Sequence, residues 1–178
     1  MRSLTLVATG VLLHLLLPFS GDLLAVFLGP QLIDVTGYTA AAGWAVTGVG
    51  LGLLVRSGAR DFLPALITAA LSVAYYLLPF RPADLLFVFP AYCLWLIAGA
   101  VMRRANDGGD THAARRLDVA RTAVAGGYLA AYVAEQVLSV GLLTGLLGLI
   151  GLVGTIMMTF RFFRVAARPY LQPTMVAE

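Results

Sequence analysis

Arginine placement constrains this chain more than any other feature. Apolar runs of about 17–21 residues recur along it, each long enough to cross ~30 Å of hydrocarbon as a helix rising about 1.5 Å per residue. Read as six spans, they leave Arg2, Arg56, Arg60, Arg103, Arg104, Arg115, Arg116, Arg121, Arg161, Arg164 and Arg168 in gaps or, for Arg121, at the inner end of a span, on one side, and Arg81 alone on the other. Guanidinium groups resist translocation, so the arginine-rich side is expected to be the cytoplasm. The chain is therefore expected to be an all-α polytopic membrane helical bundle of about six transmembrane helices. It would form a single integral membrane domain over residues 1–178, with both termini cytoplasmic and the bundle in the cell membrane.

Composition narrows the function classes. With 60% hydrophobic and 12% charged residues and a mean hydropathy of +0.90, the chain has more apolar surface than one soluble core of 178 residues hides. The lipid bilayer is its expected partner. A net charge of +3 would point toward nucleic acid in a soluble protein. Here the orientation rule already accounts for the basic residues, and no nucleic acid is expected. Lysine is absent, which removes Schiff-base chemistry. The lone Cys93 forms no internal disulfide, and His14 and His112 without a cysteine cluster supply no zinc, haem or iron–sulfur ligand set. No metal and no cofactor are expected.

The first span is expected over residues 3–21. Its basic start and leucine run look like a signal peptide, but no small-x-small cleavage site follows. Residues 23–33 are too short to cross and are broken by Gly29 and Pro30, so residues 22–38 are read as an outer re-entrant or surface-lying segment, with an extension of the first span as the alternative for residues 23–33. Further spans are expected over residues 39–55, 62–80, 83–102, 119–138 and 140–160, with an outer turn at Arg81-Pro82. Residues 103–118 form the longest polar stretch, a cytoplasmic loop centred on Asn106-Asp107-Gly108-Gly109-Asp110. Residues 161–178 are expected to begin as a basic interfacial helix, with Arg161, Arg164 and Arg168 on one face.

In lipid, helices associate by close backbone approach at small residues. Gly48 and Gly52 make one such pair, and Gly141, Gly145, Gly148, Gly151 and Gly154 make a longer row. Packing within the chain is the favoured role of these glycines. A homo-oligomer or another membrane protein docked on Gly48, Gly52, Gly141, Gly145 and Gly148 is the alternative. The fifth span carries two stripes: Ala123, Gly127, Ala130 and Ala134 for packing, and Tyr128, Tyr132, Glu135 and Ser139 for lining a polar space.

Glu135 is the sharpest chemical candidate, since a carboxylate held toward the membrane interior is costly unless protonated, paired or wetted. Its sequence position places it toward the outer interface. Arg81 and Asp84 share that level, and Ser72, Tyr75 and Tyr76 follow Thr68 on a hydroxyl-rich face of the third span. Together with Tyr128, Tyr132 and Glu135 they are candidates for an outward-facing ligand pocket between spans three, four and five. His14 is the other intramembrane ionisable group; Pro18 frees its carbonyl, and Asp22 lies beyond, so a proton relay from His14 to Asp22 can be drawn. A hydrogen bond to a neighbouring helix is the simpler role for His14. Cys93 and Trp95 read as packing residues and His112 as solvated.

No P-loop, G-x-S-x-G elbow or H-E-x-x-H pair is present, which disfavours a self-contained ATPase, serine hydrolase or typical zinc protease. Three functions stay open. One is a permease or substrate-binding membrane subunit; in size, span number and sidedness the chain is similar to the substrate-binding membrane subunits of vitamin uptake systems, a parallel of architecture that carries no motif. The second is a membrane-embedded enzyme using Glu135 or Asp84 for acid–base chemistry on a lipid or isoprenoid. The third is a structural or assembly subunit of a membrane complex.

Overall fold

The computed structural model describes residues 2–28, 33–77, 88–139, 141–168 and 171, with side chains between 17 and 37 left undescribed. These residues form six α-helices: α1 (Arg2–Leu28), α2 (Ile33–Arg56), α3 (Leu63–Leu77), α4 (Val88–Asp107), α5 (Thr111–Val133) and α6 (Gly141–Val165). A 3-10 turn (Arg60–Phe62) precedes α3 and a π turn (Ala134–Leu138) follows α5. No strand occurs among the described residues. The expectation of an all-helical protein holds.

Each helix packs on the next in sequence, and α1 also meets α6, which closes the six into a ring. Neighbours run antiparallel. Between α1 and α2 a Cβ on Gly50 would meet Val7, whereas one on Gly43 would meet His14. Between α3 and α4 the contacts descend from Tyr75–Phe89 to Cys93–Ala65 and then to Asp61–Arg104. Such a ring gathers the start of α1, the ends of α2, α4 and α6, and the start of α5 at one end. The arginines of the described residues sit there.

Three expected boundaries are corrected. Residues 22–38 are not a separate outer segment, because α1 runs unbroken through Pro18 to Leu28 and α2 starts at Ile33. The loop over residues 103–118 shrinks to residues 108–110. The Gly108 and Gly109 N–H groups donate to the Arg104 and Asn106 carbonyls at the end of α4, Gly109 takes a left-handed φ of 76°, and the Asp110 side chain caps α5 by accepting from Ala113 N at 3.0 Å. Arginine and alanine, both good helix formers, extend α4 and α5 up to that turn. The last helix continues to Val165, so Arg161 and Arg164 belong to α6 rather than to a separate interfacial helix.

Glycine governs the two tightest contacts, but mostly not the glycines singled out above. At the α1–α2 crossing a Cβ on Gly10 would come within 2.4 Å of the Thr47 backbone N, and one on Gly43 within 2.6 Å of His14 N. At the α5–α6 crossing a Cβ on Gly127 would meet Gly151 N at 2.4 Å. Gly48, Gly52, Gly141, Gly145 and Gly148 instead face open space, so the internal packing role expected for them is corrected; of the α6 row, Gly151 and Gly154 alone are engaged.

Hydroxyls near these contacts bond back into their own helices: Thr47 to Gly43 O, Thr68 to Pro64 O, Ser72 to Thr68 O, Thr155 to Gly151 O and Thr159 to Thr155 O, at 2.8–3.0 Å. This satisfies a donor without water. The outer faces are apolar, with Leu63, Ile67 and Leu71 exposed on α3 and Leu142, Leu146, Leu149, Val153 and Phe160 on α6. By length and composition two described helices can cross a membrane, residues Tyr38–Arg56 and Gly141–Val165, and Ser3–Leu16 is a shorter apolar helix.

Replacing Gly10 with leucine forces backbones apart and is expected to cost at least about 2 kcal/mol of stability. Gly48→Leu projects into open space and should stay within about 0.5 kcal/mol of the parent. Thermal unfolding of the purified variants in detergent measures both; equal losses would contradict this account of the α1–α2 contact.

Candidate functional site

Two polar centres occur in the ring, one within the helices and one at the arginine-bearing end. The inner centre begins with the α1–α2 crossing. Because Gly10 and Gly43 bring the two backbones together, His14 is pressed against Trp44, with ring centroids 5.0 Å apart. From α3, Tyr76 stacks obliquely on His14 at 5.6 Å and meets Tyr75 edge-on at 5.6 Å; Tyr75 in turn touches Phe89 of α4 at 5.8 Å. Four helices thus contribute to one aromatic cluster. Trp44, Tyr75 and Tyr76 are buried.

Its polar atoms are unevenly served. Thr47 and Ser72 are buried with their hydroxyls spent on helix carbonyls. The Ala40 backbone lies within reach of the His14 ring, yet Nδ1 completes no hydrogen bond, and neither does the buried Trp44 Nε1. Leaving a buried polar group unpaired costs roughly 1–3 kcal/mol, so these two atoms, on rings in contact, are the polar groups of the cluster that packing serves least. The indole N–H can only donate, whereas a neutral imidazole also offers an acceptor nitrogen. Counting about 1.5 Å per residue from Arg2, His14 lies ~18 Å along α1.

The expected pocket between spans three, four and five is not assembled. In the ring α4 separates α3 from α5, and the residues divide accordingly. Ser72, Tyr75 and Tyr76 join the His14–Trp44 centre. Tyr128 turns toward α6, where its ring covers Gly151 and Thr155 Oγ1 lies 3.4 Å from its hydroxyl. Tyr132 is half-buried and Glu135 is exposed on the π turn, with no ion pair to any described residue. Ser139, which closes that turn, has a left-handed φ of 52°. Arg81 and Asp84 lie outside the described residues, and so does the side chain of Asp22. Trp44 carries no site signal in the sequence by itself; the three-residue step that puts it on the same side of α2 as the polar Thr47 has meaning only once α1 is known to be its neighbour.

At the arginine-bearing end, Arg104 forms a bidentate pair with Asp61, Nη2 to Oδ1 at 2.6 Å and Nε to Oδ2 at 2.9 Å, while its guanidinium lies over Phe62 at 5.5 Å. Arg168 reaches Asp110 at 3.8 Å. These pairs tie the α2–α3 and α4–α5 connections and the end of α6 into one surface. A cleft of about 450 Å³ opens beside them, lined by Asp61, Arg103, Arg104, Asp107 and Gly108. A second, mostly apolar groove of about 470 Å³ lies between α5 and α6 along Val119, Ala123, Gly126, Gly127, Leu147 and Ile150. No group of three or more His, Cys, Asp or Glu side chains placed to hold a metal ion occurs among the described residues.

No family model, curated protein or solved structure matches the chain.

Asp61→Asn should weaken the Arg104 pair by up to about 1 kcal/mol, a limit set by the solvent that reaches both side chains. The charge-reversed double variant Asp61→Arg/Arg104→Asp should regain part of that loss. A double-mutant cycle of melting temperatures checks it, and strict additivity would show that the pair contributes nothing.

Proposed function

We propose that the chain is a six-span integral protein of the cell membrane, with both termini and the arginine-bearing end in the cytoplasm, acting as a permease or as the substrate-binding subunit of an uptake complex. Support for the membrane placement comes from the exposed apolar residues along α3 and α6 and from the hydroxyls bonded back into their helices. The ring then acts as one membrane domain over residues 1–178.

The observation that carries the functional reading is the neighbouring pair of unpaired buried atoms, His14 Nδ1 and Trp44 Nε1. A ligand carrying an acceptor beside a donor or acceptor, such as an amide or a hydroxyl-bearing ring, would answer both. Tyr75, Tyr76 and Phe89 would enclose its apolar part. No charged side chain is part of this cluster among the described residues, and moving an ion out of water without a counter-charge is costly. The substrate is therefore a small neutral, ring-bearing molecule. At ~18 Å along α1 from its cytoplasmic start, in a hydrocarbon layer of ~30 Å, the site belongs to the outer half of the membrane.

Glu135 stands apart from this site. Its exposure favours a role at the membrane surface over acid–base chemistry on a bound lipid.

Small molecules that survive mild purification and are released in native mass spectrometry test the reading. His14→Phe and Trp44→Phe, which keep the aromatic volume, should abolish retention of the released compound. Glu135→Gln should retain it as the parent does. Retention unchanged in both aromatic variants would overturn the assignment.

A further inference from the structure

Away from the His14–Trp44 centre, a guanidinium group of α4 and one of α5 meet without an ion pair to any described carboxylate. Arg121 of α5 lies flat on Trp95 of α4, its carbon 3.4 Å from the ring centroid. One helical turn beyond Trp95, Gly99 leaves the seam open: a Cβ there would meet Arg121 Nη1 at 3.1 Å and Arg103 Nη1 at 3.7 Å. Both arginines therefore point into the same gap. Arg121 feels the favourable charge of Asp118 and, to a lesser extent, the repulsion of Arg103. Asp118 is exposed and pairs with neither, since no ion pair to Arg103 or Arg121 forms among the described residues. Arg121 Nε is buried without a hydrogen-bond partner.

Packing alone gives no reason to converge two cations on a glycine and leave a buried donor unused. The arrangement fits an anion with several acceptor oxygens, because a guanidinium offers donors in a planar fork and stacking on Trp95 fixes that plane. The nearby cleft is a poorer seat for an anion, since Asp61 already neutralises Arg104 and Asp107 lines the wall. Depth narrows the source. Arg103 lies about 6 Å before the end of α4 and Arg121 about 15 Å into α5. With the proposed orientation, which this inference rests on, the gap is level with the inner headgroup layer.

We propose that Arg103, Arg121 and Trp95, around Gly99, form a phosphate-binding site on the α4–α5 seam, occupied by the headgroup of an anionic inner-leaflet lipid.

The test is a titration of the purified full-length protein, in neutral detergent, with short-chain phosphatidylglycerol and separately with inorganic phosphate. The lipid should bind the parent protein, and its affinity should fall about tenfold in Arg121→Gln and in Arg103→Gln, as expected for loss of a charge-assisted contact. Gly99→Leu keeps both guanidinium groups but fills the gap, and it should weaken binding as much; it separates a shaped site from general attraction and serves if Arg121→Gln fails to fold. Arg56→Gln, at the exposed end of α2, should bind as the parent does. If inorganic phosphate binds as tightly as the lipid, with the same dependence on Arg103, Arg121 and Gly99, the headgroup assignment is overturned in favour of a soluble phosphate ester. Lipid affinity unchanged in all three site variants overturns the site itself. Release of the protein from membranes by alkaline carbonate would instead defeat the membrane placement, whichever way the titrations fall.

Discussion

Arginine cannot readily cross a bilayer, and in this ring the arginines of the described residues are gathered at one end. Antiparallel packing of consecutive helices makes that grouping possible, since every second connection returns to the same side. The ends are then held by contacts specific to them: Asp61 with Arg104, Asp110 with Arg168, and the Asp110 cap on α5. Each contact is modest in energy because water reaches it. Together they bring four helix ends into one surface, and the two unpaired guanidinium groups of Arg103 and Arg121 lie just behind it.

The rest of the ring is shaped by how closely backbones approach. At Gly10 and Gly43 the α1 and α2 backbones are too close for any side chain, and the next polar groups along the seam, His14 and Trp44, are forced together as a result. Hydroxyl groups in the same region bond to carbonyls one turn back, but a histidine and an indole cannot do so. Their nitrogens stay unpaired for a geometric reason. The same crossing that stabilises the pair of helices thus creates the polar centre, so the packing and the polar centre cannot be varied independently there. The α5–α6 crossing at Gly127 and Gly151 shows the contrast: its one aromatic neighbour, Tyr128, lies beside Thr155 and leaves no comparable group orphaned.

The helical class, the sidedness of the arginines and the importance of small residues were legible from spacing alone. Which glycines pack was not, because a row with steps of three and four winds around its helix and only a neighbour's position decides which part is covered. Gly151 and Gly154 met α5, while Gly141, Gly145 and Gly148 ran on into open space. The polar stretch over residues 103–118 read as a loop from its charge, yet arginine and alanine favour helix, and a turn of Gly108, Gly109 and Asp110 suffices to reverse the chain. Residues 22–38 read as a separate segment because of Gly29 and Pro30, which lie outside the described residues, yet α1 runs on to Leu28. Glu135 drew attention as an acid within an apolar run, and its exposure follows from the π turn in which α5 ends. His14 was visible as an oddity; Trp44 as its companion was not, since thirty residues of chain separate them and no local pattern encodes that contact.

Orientation is the claim on which the membrane placement, the depth of the His14 centre and the level of the phosphate site all depend. It is tested most directly by labelling intact cells with a membrane-impermeant maleimide, using single-cysteine proteins built on a Cys93→Ser background. Asn106→Cys, beside the α4–α5 turn, should stay unlabelled until the membrane is permeabilised, and Gln136→Cys, on the π turn at the opposite end, should label at once. Labelling of Asn106→Cys in intact cells, with Gln136→Cys protected, would contradict the account.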